Sequence, residues 1–282
     1  FDLCHKEFMN YGMQLLEEDE DIHKAYEVAY WKVPTLLYIE LHKSLFPPES
    51  EAYGEFNSFF EGAHERAIQE TIHGVPVYTL DYTEHLFYLI CHAFKHFLGS
   101  GFGIRQVCDI TLFANRYGKE INWALLLKQC KEIAADRFVA TLFQIGEKYL
   151  TFNPVQACYP DTFGELAVDE GDLLRDMLEC GVLGNCDLSR IHSSNITLQA
   201  TAANKKGKES KGMVLKTIFP SRKYLVKWYK YLDKYPFLLP IAWVSRIFKY
   251  LGETDKKHNA PGKAVQIGTQ RVELLKKYGV LK

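Results

Sequence analysis

Three groups of residues have types and spacings suited to chemistry. In LLYIELHKSLF (36–46), which reads as a strand, Glu40 and His42 stand two apart. Strand alternation puts Tyr38, Glu40 and His42 on one side and Leu37, Ile39 and Leu41 on the other. The second side reads as core and the first as a site. A carboxylate there can hold a hard cation such as Mg²⁺, but two-metal chemistry needs several converging oxygens. By spacing alone, Glu40 is a surface strand carboxylate. His85, His92 and His96 form the second group, seven and four residues apart along one helix stripe. His92 and His96 have the spacing of helical zinc sites, yet the motif is HAFKH and no Glu follows His92. Lys95 beside the pair opposes a metal and favours an anion, so zinc is not expected. Histidines packed at a helix–helix contact are the plain alternative. Arg105 and Asp109, in GFGIRQVCD, are spaced to pair along one helix face.

The elements that must position these groups follow from pattern and punctuation. Residues 3–18 read as a helix, and EEDED (17–21) as its solvated end. Trp31 to Pro34 leads into a strand over 35–42, which Phe46-Pro47-Pro48 stops. Residues 50–70 show a weaker helical pattern, and Gly74 to Leu80 reads as a short strand. From Asp81 onward helices dominate. Thr83 reads as the cap of EHLFYLICHAFKHFLG, closed by Gly99. Gly101 and Gly103 read as a flexible connection to a helix ending at Gly118. Asn122 caps the next helix, and Asp136 starts another that runs to Tyr149. Residues 161–180 read as helical. The polar stretch 199–212 reads as a mobile loop on composition. Ser221 is placed as the cap of a further helix, Pro236 and Pro240 interrupt, and a last helix lies near 264–278.

Charge is unevenly spread over the 282 residues, although the formal net charge is only −1. Residues 1–203 carry 15 Lys/Arg against 30 Asp/Glu, whereas 204–234 carry 10 against 2. An acidic body with a basic tail implies that the tail folds back on the body, or that 204–234 meets an anionic partner. YPFLLPIAWVSRIF (235–248) is amphipathic and aromatic with basic flanks. It reads as a packing helix pair that closes the fold, with a place on a membrane surface as the alternative. The seven cysteines form no CxxC pair and read as reduced, mostly buried thiols of a cytoplasmic protein. No run is long and apolar enough for a transmembrane segment. Dinucleotide-binding, P-loop and GxSxG patterns are absent from the sequence.

In combination, YIELHKSLF, HGVPVYTL, HLFYLICHAFKHF, IRQVCDITLF and INWALL resemble the bacterial family of uncharacterised nucleotidyltransferases, in the DNA polymerase beta-like superfamily. FPSRKYLVKWYKYLDKYPFLLPIAWVSRIFKYL resembles that family's C-terminal helical ending. The resemblance covers roughly 11–150 and 218–251. It implies an Asp-x-Asp pair that holds Mg²⁺, followed by a strand with a third carboxylate. Glu40 matches that third carboxylate, as catalytic residue and metal ligand, with His42 beside it. His92, Lys95 and His96 match the family's H-x-x-K-H helix, and Arg105 and Asp109 its R-x-x-x-D segment. These residues, with His42, are expected to bind nucleotide, Lys95 and Arg105 supplying charge near the triphosphate. The glycine–serine turn and the Asp-x-Asp pair belong upstream of Phe1, and NYG (10–12) resembles the region after them. The chain is therefore expected to begin past the main metal ligands.

The resulting expectation is an α+β fold, predominantly α. Residues 1–80 would hold the remnant of a small nucleotidyltransferase mixed sheet. A helical domain (81–198), a flexible loop (199–213) and a basic C-terminal helical segment (214–282) would follow. The function implied by the resemblance is Mg²⁺-dependent transfer of a nucleotidyl group from an NTP to an unknown acceptor. The alternative is a non-catalytic interaction module that uses the basic C-terminal helices and the His/Lys helix.

Overall fold

Alternation and tight turns build the first strands of the protein. The computed structural model describes residues 1–16, 22–181, 188–207, 222–226, 228–252 and 261–282. The described chain divides into two compact units, Phe1–Gly62 and Ala63–Lys282. The division falls at 62, where the sequence reading placed it at 80.

In the first unit, α1 (Asp2–Asn10) precedes an antiparallel sheet of β1 (Gln14–Leu15), β2 (Glu27–Lys32) and β3 (Leu37–His42), in that order. The helix is shorter than the sequence suggests, because residues 14–15 pair with β2. The run 17–21 lies outside the described residues. β2 is not expected from the sequence, where only Trp31 to Pro34 read as a lead-in to the next strand. Its residues alternate like those of β3, and Tyr30 pairs with Ile39, Ala29 with Glu40 and Glu27 with His42. The inward side of the sheet packs Val28 and Tyr30 with Met13, joined by Phe8, Ile39 and Leu41. The sides of β3 are thus divided as alternation requires. Beyond β3, Phe46 packs edge-on to Phe56 at 5.6 Å. Asn57 clamps the Phe46 backbone, its carbonyl accepting from Phe46 N (3.0 Å) and its amide donating to Phe46 O (2.9 Å).

The second unit opens with a hairpin, β4 (Ile68–Ile72) and β5 (Val75–Thr79). The helical pattern expected over 50–70 is instead a 3₁₀ segment, Gly54–Phe60, a short 3₁₀ turn at Ala63–Glu65, and β4. Ile72 pairs with Val75, so His73 and Gly74 alone make the turn, both with positive φ (52° and 81°). A two-residue type I′ turn demands that conformation, and its twist matches the strands. Every pairing among the described strands is antiparallel, where the resemblance implied a mixed sheet.

Helices make the rest: α2 (Tyr82–Leu98), α3 (Ile104–Tyr117), α4 (Trp123–Glu132), α5 (Asp136–Tyr149), α6 (Asp161–Gly164), α7 (Gly171–Glu179) and α8 (Leu188–Lys205). After them come α9 (Arg222–Leu225), α10 (Tyr231–Lys234), α11 (Leu239–Gly252) and α12 (Pro261–Lys277). The fold is α+β and predominantly α. Asp81, and not Thr83, caps α2: its carboxylate accepts from Thr83 N (2.8 Å) and Glu84 N (3.0 Å). The Thr83 hydroxyl instead accepts from Asn122 N, while Asn122 caps α4 through Leu125 N, as its sequence position requires. The Gly101–Gly103 connection is buried rather than flexible. Gly101 has φ +110°, and a Cβ there would lie 2.6 Å from Cys180 Sγ, so only glycine fits. Residues 199–205, expected in a loop, are the last turns of α8, because Ala200 and Thr201 are buried. Residues 208–213 and Ser221 lie outside the described residues.

Aromatic rings fill the core of this unit. Phe97 stacks on Phe138 at 4.5 Å, with Phe94 and Phe102 against the same ring. Trp123, Phe143, Tyr159 and Phe163 form a second knot. Such pairs add about 0.5–1.5 kcal/mol each beyond the area they bury. A buried ionic cluster ties α7, α8 and α12 together. Asp176 binds the Arg190 guanidinium and accepts from Arg271 Nη1 at 2.5 Å through both oxygens. Arg190 also donates to Ser100 O (2.7 Å) and Glu179 Oε2 (2.9 Å), and Arg271 to Phe97 O (2.6 Å), which ties the cluster to the C-terminal end of α2. Cys91, Cys130 and Cys180 are buried, Cys108 is partly buried, and Cys4 and Cys158 are exposed. No disulfide joins any two of these six, and Cys186 lies outside the described residues. No described helix is long and apolar enough to cross a membrane.

Candidate functional site

In the first unit, the outward side of the sheet gathers two carboxylates around one imidazole. Cross-strand register decides this: Glu27 on β2 lies directly opposite His42 on β3, and Glu40 is two residues from His42 on the same side. His42 Nδ1 lies 3.6 Å from Glu27 Oε2, and His42 Nε2 lies 3.6 Å from Glu40 Oε2. One donor atom from each of the three falls within 4.8 Å of the others, a spread that one cation can span. Both carboxylates are substantially exposed (37% and 46%), and His42 is 23% exposed. A cation or substrate can therefore reach them. His42 Nδ1 is itself buried and makes no hydrogen bond.

Two tyrosines hold the carboxylates. Tyr38 donates to Glu40 Oε1 at 2.8 Å. That bond, with a smaller effect of burial, pushes the Tyr38 phenol up to about 12. Burial first, then a hydrogen bond to Glu27, raises Tyr26 further. Glu40 thus spends Oε1 on the Tyr38 phenol and keeps Oε2 toward His42. Such outer hydrogen bonds orient metal-ligating groups. A depression of about 250 Å³ lies beside the cluster, lined by Tyr26, Glu27, Ala29, Tyr38 and Glu40 among others. The small Ala29, opposite Glu40, leaves that space open. The donor set fits a hard cation through its carboxylates, with waters completing the shell. The imidazole adds a nitrogen better suited to Mn²⁺ or a later metal.

In the second unit, a cavity of about 340 Å³ lies between α2 and the start of α3. His92, Arg105 and Asp109 line it, with Tyr88, Gly103 and Gln106. Gly103 is the N-cap of α3 and offers no side chain to the N–H groups of its first turn, of which Gln106 N–H donates to Gly103 O, so the positive helix end carries no side-chain cap. Gln106 Oε1 is buried without a partner. Arg105 and Asp109 line the same cavity, but no ion pair joins them to each other among the described residues.

Lys95 and His96 lie outside this lining. The His96 ring sits 4.8 Å from that of His92. Burial, helped by Lys95 and His92, holds His96 down to about 4. His85 packs its ring 4.7 Å from Phe113 and meets Thr79 Oγ1 at 3.3 Å. Burial lowers it as well. His85 and His96 are therefore neutral packing histidines near neutral pH, and of the stripe only His92 reaches the cavity.

The family model for uncharacterised nucleotidyltransferases matches residues 3–151. The chain belongs to that family. No curated protein and no solved structure matches it. The matched span of this nucleotidyltransferase family member contains the whole Glu27–Glu40–His42 cluster and the whole α2–α3 cavity. Of the residues singled out in the sequence, Glu40 and His42 lie in the cluster and His92, Arg105 and Asp109 line the cavity, where Glu27, Tyr26 and Gln106 join them without having been singled out. The available signal for Glu27 was the alternation of EVAYWK, which pairs it with the strand already recognised.

Proposed function

We propose that the protein takes part in Mg²⁺-dependent transfer of a nucleotidyl group from a nucleoside triphosphate, with Glu40 and Glu27 as carboxylate ligands of the cation. The observation that carries this reading is the convergence of Glu27 and His42 on Glu40 within 4.8 Å, in a chain of this family. When bound, the cation would offset the charge of the triphosphate as pyrophosphate leaves. Tyr38 and Tyr26 keep the two carboxylates aimed, and the His42 imidazole can offer a ring nitrogen to a ligand at the cluster. The α2–α3 cavity is proposed separately as a site for a phosphate-bearing nucleotide. Arg105 and the uncapped start of α3 meet the anion, while Asp109 and Gln106 Oε1 accept from hydroxyl or amino groups. Lys95 and His96 hold no assigned contact in this reading. A reducing, cytoplasmic setting suits the unpaired, exposed Cys4 and Cys158.

The test is calorimetric titration of Mg²⁺ and Mn²⁺, alone and with ATP or GTP, into the protein and its Glu27→Gln and Glu40→Gln variants. Each variant should bind the cation about tenfold or more weakly, by analogy with losses at metal sites. Affinities unchanged in both would remove these carboxylates from the cation site.

A further inference from the structure

The C-terminal stretch YPFLLPIAWVSRIF does two things at once. One side packs: Leu225, Leu232 and Ala242 form a small buried cluster, with Tyr229, Leu238 and Trp243 around it. The other side does not. Phe237, in the 3₁₀ turn Pro236–Leu238 ahead of α11, is 75% exposed, and Ile241 and Val244 on α11 are 58% and 51% exposed. These three are spaced four and three residues apart, which places them along a single stripe. Trp228, between α9 and α10, is also largely exposed. Packing accounts for Ala242 and Trp243 and leaves the Phe237–Ile241–Val244 stripe unexplained.

Charge complements the stripe. Residues 222–252 contain seven Lys/Arg and one acid, Asp233. That acid is already engaged, since Arg222 donates to Asp233 O (2.9 Å) and lies 3.4 Å from its carboxylate. Lys230 and Lys234 are exposed beside the exposed aromatic residues Tyr231 and Tyr235. Aliphatic tips and aromatic rings on one stripe, flanked by lysines, suit a helix lying in a lipid headgroup layer. There the apolar side sinks a few ångströms and the lysine stems reach up to phosphate. A nucleic acid would use the lysines and rings but gain nothing from exposed Ile241 and Val244.

We propose that the segment Arg222–Gly252 is a docking surface for an anionic lipid membrane, with Phe237, Ile241 and Val244 entering the headgroup layer and Lys230 and Lys234 meeting lipid phosphates. Residues 1–203, with a net charge of −15, are repelled by such a surface, which leaves attachment to the basic C-terminal part of the chain. The inference does not depend on the proposed reaction.

Co-sedimentation of the full chain with phosphatidylcholine vesicles, with and without phosphatidylglycerol, tests it. Binding should require phosphatidylglycerol and weaken with salt. Lys230→Glu with Lys234→Glu should lower affinity by at least about fivefold for each lysine lost. Phe237→Ser with Ile241→Ser should abolish binding while leaving the thermal midpoint unchanged, because both side chains are exposed. Failure to bind phosphatidylglycerol vesicles, or equal binding by both variants, overturns the proposal. So does capture by soluble heparin without vesicle binding, which would assign the surface to a soluble polyanion. A dimer in solution that Phe237→Ser dissociates would assign the stripe to a second copy of the chain.

Discussion

Two charged clusters in this protein differ in how far their charges are already engaged. Glu27, Glu40 and His42 sit on the open side of a small sheet, with contacts of 3.6 Å and oxygens accessible to solvent. Asp176, Arg190 and Arg271 are buried between helices, and the Asp176 carboxylate is fully engaged by the two guanidiniums. The first cluster is loosely spaced and open to solvent, so a ligand can reach its oxygens. The second has exchanged its water for protein partners and contributes to the architecture. Charge alone does not identify a site; unspent coordination does.

The comparison breaks most readily at Asp176. Asp176→Ala leaves two buried guanidiniums without their shared carboxylate and should cost about 3–5 kcal/mol. Urea denaturation reads this directly. A loss below about 1 kcal/mol would place Asp176 with the surface pairs, whose worth is of that order.

A second effect comes from pH. His96 is held down to about 4 in the folded protein, against about 6.5 in an unfolded chain. Between these values the unfolded state binds the proton and the folded state does not. Stability should therefore fall as pH drops from about 6.5 to about 4, by on the order of 3 kcal/mol, and then level off for this group. His85, also held down by burial, acts in the same direction. His96→Gln should flatten much of the slope in a pH series of denaturation curves. An unchanged slope would assign the acid sensitivity to other groups.

The smallest effect is the most informative about the sheet. Glu27→Gln and Glu40→Gln should each change stability by no more than about 0.5 kcal/mol, as exposed substitutions do. Calorimetric unfolding checks this alongside the cation titration. A large loss would mean that the carboxylates serve the fold like Asp176.

Local chemistry was legible where it acts over a few residues. Asn122 is the cap of α4, the helix Asp136–Tyr149 begins and ends where its pattern says, and Glu40 and His42 share a side of β3. Thr83 misled because two candidates, Asp81 and Thr83, stand two residues apart at the start of the same helix. Asp81 sits at the position whose oxygen reaches residues two and three ahead, and that decides the cap. The stretch 50–70 misled because IQETI reads weakly until the His73–Gly74 turn folds it onto VPVYT. The Arg105–Asp109 pair had the right spacing, but both residues line the cavity and, among the described residues, no ion pair joins them.

The sequence by itself determined the predominance of helix, the two-sided character of β3, the family resemblance and the basic, aromatic nature of the C-terminal segment. All of these depend on periodicity, composition or short motifs within one stretch of chain. Tertiary structure alone decided that Glu27 meets His42, that Asp176 joins residues 14 and 95 positions away, and which stripe of Phe237–Val244 stays uncovered. Those outcomes depend on cross-strand register and helix docking. They are set by which apolar surfaces bury one another across the fold, and no local spacing encodes them.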